Sequence, residues 1–279
     1  MAPPVLLRNR GSKLRAPLGY LPAARFEPFF SVARRLGIGF HLAHPFSRFL
    51  IIGFGNAVLL AALATWLAPS DGKTAVVTAV AVYCIGIVIA AFRLLATYSH
   101  RELGLANAVT QLRAALGAVL IVPLAVPGMM PLSDDRAWIV LAIAAIALAL
   151  DGVDGWLARR SALISSFGAR FDMEVDALLA LVLSVLALQN GKAGAWVLLL
   201  GTMRYLFVIA SWAMPWLQAP LPESLRRKIV CVIQIGTLVL LLAPNVQSPV
   251  SIVFATAVSL LLIWSFAVDV LWLARNRRT

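Results

Sequence analysis

Twelve aspartates and glutamates occur in the chain, and five of them fall between Asp151 and Asp176. Asp151 and Asp154 are three residues apart and Asp172 and Asp176 are four apart, so on helices each pair shares a face, one turn from each other. The thirteen residues from Arg159 to Phe171 suffice to return the second helix antiparallel to the first, which brings the two pairs opposite each other. Four carboxylates converging in a low-dielectric setting repel strongly, and each is costly near lipid. Hard cations between them make the arrangement tolerable, and oxygen ligands select Mg²⁺ or Mn²⁺ over softer metals. One or two such aspartates near a helix end would be solvated loop charges or caps. Four at helical spacing, in a chain this poor in acids, point to a shared site.

The residues between the carboxylates fit a phosphate ligand. Gly155 directly follows Asp154 and leaves the backbone open to a bulky phosphate or base, and Ala158 is small on a neighbouring face. Arg159 suits a bidentate grip on phosphate, which lysine performs less well. Gly168 opens the start of the next helix. Metals, an arginine and small residues together describe a diphosphate site, in which cations bridge phosphate oxygens and neutralise the charge that develops in the transition state.

The elements that must position these residues are membrane helices. Hydrophobic residues make up 61% of the chain and charged ones 13%, and mean hydropathy is +0.90. A soluble domain carries about 25% charged residues, so this chain has too few to coat a water-facing surface. Cys84 and Cys231 lie in apolar runs and read as small buried thiols, and with His41, His44 and His100 they form no zinc or haem spacing. The N-terminus lacks the short apolar core of a secretory signal.

Apolar stretches of about 20 residues, the length that crosses a bilayer core, are expected near Phe49–Ala68, Thr74–Thr97, Asn107–Pro127, Ala137–Leu157, Asp172–Gln189, Ala193–Met214, Lys228–Ala243 and Val250–Ala274. Turn-rich sequence separates them, as at Pro127-Gly128, Gln189-Asn-Gly191 and Pro244-Asn245. Backbone groups cannot go unpaired in lipid, so the expected fold is an all-α transmembrane bundle of about eight spans. With a cytoplasmic N-terminus, 19 of the 24 basic residues fall on inward segments and span ends, and only Lys73, Arg136 and Lys192 on outward loops. Arg113 and Arg204 lie within spans. This asymmetry also accounts for the net charge of +12: the basic residues face anionic headgroups, and nucleic acid is not needed as a partner. Residues 1–48 read as a cytoplasmic basic arm. Its segment Phe26 to Phe46 fits an interfacial amphipathic helix and, equally, a disordered tail.

The run Asp151-Gly-Val-Asp154-Gly155-Trp-Leu-Ala158-Arg159, then eight residues to Gly168, then Asp172 and Asp176, resembles at every fixed position the signature of the CDP-alcohol phosphatidyltransferases. The pattern D-x-x-D-G-x-x-A-R-x8-G-x-x-x-D-x-x-x-D is long and specific, whereas a lone D-x-x-D would carry little. The resemblance implies a six-helix catalytic core over residues 101–279, two extra N-terminal helices over 49–100, a cytoplasmic cavity and a homodimer. It implies that Asp151, Asp154 and Asp172 ligate two metal ions, with Asp176 reaching the second and serving as general base. Gly155 and Arg159 would contact the cytidine diphosphate portion, beside Ala158 and Gly168, with Ser165 assisting. Asn107-Ala-Val-Thr110-Gln-Leu-Arg113 is similar to the N-x-x-T-x-x-R start of the family's first core helix, which places Asn107 and Thr110 beside the nucleotide. Arg204, Arg226 and Lys228 stand where members that take phosphorylated acceptors keep basic residues.

The implied reaction moves a phosphatidyl group from a CDP-linked lipid, CDP-diacylglycerol, to an alcohol acceptor with release of CMP. The expected location is a bacterial inner membrane, with both termini and the site cytoplasmic. Two other classes place carboxylates in membranes. Prenyltransferases bind an isoprenyl diphosphate through Mg²⁺, but separate their acidic motifs by longer stretches than the single hairpin here. Ion-coupled transporters use carboxylates as relays, and leave Gly155, Ala158, Arg159 and Gly168 unexplained.

Overall fold

The computed structural model describes residues 44–276 except 71, 162 and 223. The expected basic arm, residues 26–43 of its amphipathic segment included, lies outside the described residues; His44 to Arg48 begin the first helix. Among the described residues there are eight long helices and no strand: α1 Pro45–Leu67, α2 Lys73–Thr97, α3 Leu105–Val119, α4 Asp134–Arg160, α5 Ser166–Gln189, α6 Leu199–Ala213, α7 Leu225–Leu241 and α8 Val250–Arg275. A short helical turn, Val122–Ala125, extends α3, and the 3₁₀ turn Ala195–Leu198 leads into α6.

Local chemistry explains the ends. Pro45 opens α1, where its missing N–H costs nothing, and His44 Nδ1 caps it by accepting from Phe46 N at 3.2 Å. Asp134 and Asp135 occupy the first turn of α4 and Arg159 and Arg160 the last, each complementing the helix dipole. Ser165 caps α5, its hydroxyl accepting from Gly168 N at 3.0 Å.

Six segments are long and apolar enough to cross a membrane: α1, α2, α3 with its short extension, α4, the 3₁₀ turn with α6, and α8. The other two of the eight expected spans, α5 and α7, are helical but more polar. Asp172, Glu174 and Asp176 sit in α5, and Arg226, Arg227 and Lys228 open the 17-residue α7. Both helices begin earlier than the apolar runs suggest, α5 at Ser166 rather than Asp172 and α7 at Leu225 rather than Lys228. Hydrophobicity marks where a helix meets lipid, whereas caps and charged first turns mark where it starts.

Helix α3 is the centre of the bundle, packing on α1, α2, α4 and α5. Its side chains Asn107, Thr110, Gln111 and Arg113 are all buried. The two N-terminal helices are built onto this centre. Gln111 Nε2 donates to the Phe49 carbonyl of α1 at 3.1 Å, and the fully buried Phe49 ring meets Phe167 and Phe171 of α5 edge-on at 5.8 and 5.7 Å. At the α5–α6 crossing a Cβ on Gly201 would lie 2.3 Å from Ser184 Oγ and 2.6 Å from Leu181 Cα, so only glycine admits this approach. At the bundle end away from the aspartates, Leu132 N donates to Asn190 Oδ1 at 2.8 Å. Lys192 there is buried and donates to the Ala243 and Val246 carbonyls at 3.0 and 2.8 Å. Burial holds its ammonium below the usual lysine range. Cys84, expected to be buried, is exposed on α2, and Cys231 is half-buried; an apolar run in a membrane helix has a lipid face as well as a packed one.

Candidate active site

All four aspartates converge at one end of the bundle. Asp151 and Asp154 project from the last three turns of α4 and Asp172 and Asp176 from the first three of α5. What holds them together is a residue that the sequence placed inside a span without a role. The Arg113 guanidinium, 1% exposed, reaches from α3 into the middle of the group. Its Nη1 donates to Asp154 Oδ2 at 2.7 Å and Asp172 Oδ1 at 2.6 Å. Its Nη2 lies 2.9 Å from Asp151 Oδ1 and donates to Asp176 Oδ1, and its Nε donates to the Ala147 carbonyl of α4 at 3.3 Å. A buried charge this deep is tolerable only when paired and hydrogen-bonded, and here every donor nitrogen of the fork meets a partner. The N-x-x-T-x-x-R spacing was the available signal, since it puts Thr110 and Arg113 on the face of Asn107.

The carboxylates are not equivalent. Asp154 is almost fully enclosed, with a side chain 4% exposed, and also accepts from Thr110 Oγ1 at 3.1 Å. Asp172 is the most open, at 39%. One oxygen each from Asp151, Asp172 and Asp176 lies within 4.8 Å of the other two. Oxygens around one Mg²⁺ stand about 3–4 Å apart when its bonds are 2.0–2.1 Å. The donor set therefore suits a hard divalent cation by its chemistry, since its three or four carboxylates match that metal's preference for oxygen.

The small residues of the motif lie at the same end. A Cβ on Gly155 would come within 3.2 Å of Arg159 Nη1, so the exposed Arg159 side chain folds back over the glycine one turn earlier. Ala158 is half-buried beside it. Gly168, Ser165 and Asn107 form one contact between α3 and α5. A Cβ on Gly168 would lie 2.9 Å from Asn107 Oδ1 and 3.2 Å from Ser165 Oγ. Thr110 thus touches a motif aspartate directly, whereas Asn107 and Ser165 lie at the helix junction beneath the loop.

The expected acceptor-side cations are placed differently from one another. Arg204 Nη2 pairs with Glu174 Oε1 at 2.5 Å and its Nη1 contacts Met173 Sδ at 3.1 Å. With about 100° per residue, Glu174 lies on the opposite face of α5 from Asp172 and Asp176. Arg226 donates to Ser265 Oγ at 2.6 Å and Asp269 Oδ1 at 2.5 Å of α8, with Arg227 3.3 Å from the same carboxylate. Lys228 is exposed one turn before Cys231, which lies within reach of the charges on Asp176, Asp151 and Asp172. Helix α7 packs beside the two helices that carry the aspartates, with Arg226, Arg227 and Lys228 in its first turn.

A family model described as CDP-alcohol phosphatidyltransferase matches residues 103–270, more than half of the chain. No curated protein and no solved structure matches it. The match spans α3 to the greater part of α8 and includes every residue of the aspartate cluster. The chain belongs to the CDP-alcohol phosphatidyltransferase family and is an enzyme of that class. The family depends on a divalent metal, in keeping with the cluster formed by Asp151, Asp172 and Asp176.

Proposed function

We propose that this CDP-alcohol phosphatidyltransferase moves the phosphatidyl group of CDP-diacylglycerol to the hydroxyl of a small alcohol and releases CMP. The observation that supports it most is the convergence of four aspartates from α4 and α5 on one point, with Gly155 and Arg159 beside them. Asp151, Asp154, Asp172 and Asp176 would hold two ions, Mg²⁺ or Mn²⁺. When bound, these neutralise the diphosphate and the charge that develops on the leaving CMP.

The chain's own residues do the rest. Asp176 accepts the proton of the acceptor hydroxyl. The freed oxygen attacks the phosphorus that bears the diacylglycerol, the bond from that phosphorus to the CMP oxygen breaks, and CMP leaves with its electron pair. Gly155 lets the nucleotide phosphate approach the backbone of α4, and Arg159 grips it through its planar fork. Thr110 and Arg113 orient Asp154, and Arg113 holds the other carboxylates at their spacing. Asn107, Ser165 and Gly168 set the α3–α5 junction on which that spacing depends.

The acceptor is a phosphorylated polyol such as glycerol 3-phosphate. Lys228 stands nearest to being free, since no ion pair engages it among the described residues, and Arg226 adjoins it. Arg204 joins the site only by leaving Glu174. A homodimeric working unit is a further part of the proposal, as is a bacterial inner-membrane location with both termini and the site cytoplasmic, the side on which the basic residues gather. The test is to incubate purified protein with CDP-diacylglycerol, Mg²⁺ and a panel of acceptors, and to identify the lipid by mass spectrometry. Glycerol 3-phosphate should yield the corresponding phosphatidyl product, while product from inositol, serine or choline alone would refute the phosphorylated acceptor. An isoprenyl transfer product would refute the reaction class.

A further inference from the structure

A cavity of about 510 Å³ lies between α2, α3 and α5, within the range of small-molecule sites. Its wall is apolar and partly open to the membrane: Val82, Ile89 and Leu178 line it and are exposed. It runs from Thr97 to Val82 along α2 and from Phe167 to Val182 along α5. At 1.5 Å per residue that is about 22 Å on each helix. One leaflet of a bilayer, headgroups included, is about 20–22 Å deep. The cavity therefore has the length of one lipid in one leaflet.

Its polar end faces the same side as the aspartates and is cationic. Arg93, one turn from the end of α2, and Arg170, in the second turn of α5, both line it, are exposed, and make no ion pair among the described residues. The one acid on the wall, Glu174, is neutralised by Arg204 at 2.5 Å. Tyr205 also lines the wall, and its hydroxyl has no hydrogen-bond partner among the described residues.

The cavity is separate from the catalytic face. Taking about 100° per residue, the α5 residues that line it point on average about 110° from Asp172 and about 150° from Asp176, with Leu179 nearest the aspartate face. Arg113, reaching through from α3, lines the cavity and also pairs with the aspartates. Eight of the 22 lining residues also come from α2, which precedes the part of the chain matched to the family.

We propose that the α2–α3–α5 cavity binds one anionic phospholipid, its acyl chain along the apolar wall and its phosphate between Arg93 and Arg170, as a site distinct from that of the CDP-linked donor. Tyr205 donates to an ester oxygen of the same lipid. The lipid completes the packing between the N-terminal helices and the core, and its phosphate supplies the counter-charge that the two arginines lack.

Native mass spectrometry of the full chain in detergent, with phosphatidylglycerol or phosphatidylcholine added, tests this. One phosphatidylglycerol per chain should be retained in preference to phosphatidylcholine. Arg93→Gln with Arg170→Gln should weaken that adduct about tenfold or more, because two charge-assisted hydrogen-bonding groups are removed. Gly86→Trp points into the cavity from α2, where a Cβ meets no atom within 4 Å; with an unchanged melting temperature as the check on folding, it should remove the adduct. Asp151→Asn should leave the adduct intact, and the two arginine changes should leave the KM for CDP-diacylglycerol within about twofold, an energy change smaller than one hydrogen bond. Equal retention of both lipids, survival of the adduct in Gly86→Trp, or its loss in Asp151→Asn would each overturn the proposal.

Discussion

Replacing Arg113 with Gln should destabilise the metal-free protein severely, and a divalent cation should restore most of the loss. The size follows from burial. Arg113 and Asp154 are 1% and 4% exposed and 2.7 Å apart, and removing one partner of such a pair costs about 3–5 kcal/mol because the other charge is left buried. Asp151, Asp172 and Asp176 are 28%, 39% and 20% exposed; water screens their mutual repulsion, so they add little more. For a chain of this size 1 kcal/mol moves the melting temperature by about 2–4 °C, which makes the expected drop about 6–20 °C. Thermal unfolding in detergent should show that drop in EDTA and less than half of it in saturating Mg²⁺, because the cation takes over the charge that the guanidinium supplied. Arg113→Lys keeps the charge without the fork and should fall between the two. An equal drop with and without Mg²⁺ would mean that Arg113 acts by filling space. A drop below about 1 kcal/mol, the scale of an exposed pair, would refute the idea that it organises the carboxylates.

Asp151→Asn and Asp172→Asn should each abolish transfer, and retention of more than about a tenth of activity by both would contradict a metal site built on charge, whose loss costs far more. Gly201→Val should destabilise the protein by about 3 kcal/mol or more, since its Cβ would sit 2.6 Å from backbone of α5 and overpacking against backbone cannot relax; an unchanged melting temperature would show that the α5–α6 contact is loose. In cells expressing a form without Cys84 and Cys231, an impermeant thiol reagent should label Asp135→Cys from outside and Ile164→Cys only after permeabilisation. The reverse pattern would invert the orientation.

The aspartates were legible in the sequence because helical spacing is a strict geometric constraint and acids are scarce in a membrane chain. Their partner was not. The spacing puts Arg113 on the face of Asn107 and Thr110, but it does not distinguish a guanidinium aimed at four carboxylates from one that snorkels to the headgroups. The same limit applies to Arg204. Its position inside a span suggested a phosphate ligand, yet which face of α6 it occupies depends on the helix crossing with α5, where Gly201 sets the approach. There it meets Glu174. The packing of α1 was unreadable for a similar reason, since it rests on the Gln111 amide and on Phe49 entering a ring cluster contributed by α5. The eight helices themselves followed from hydropathy, with α5 and α7 displaced at their starts because their first turns carry charge and caps rather than lipid-facing residues.

The central claim is that these four carboxylates and a divalent metal transfer a phosphatidyl group from a CDP-linked lipid. The most direct measurement is CMP release by the purified protein from CDP-diacylglycerol and glycerol 3-phosphate, followed alongside the new phospholipid. CMP and phospholipid should appear in equal amounts, only with Mg²⁺ or Mn²⁺ present, and both should vanish with EDTA and in Asp176→Asn. CMP formed without new phospholipid, transfer that persists in EDTA, or full activity of Asp176→Asn would contradict the account.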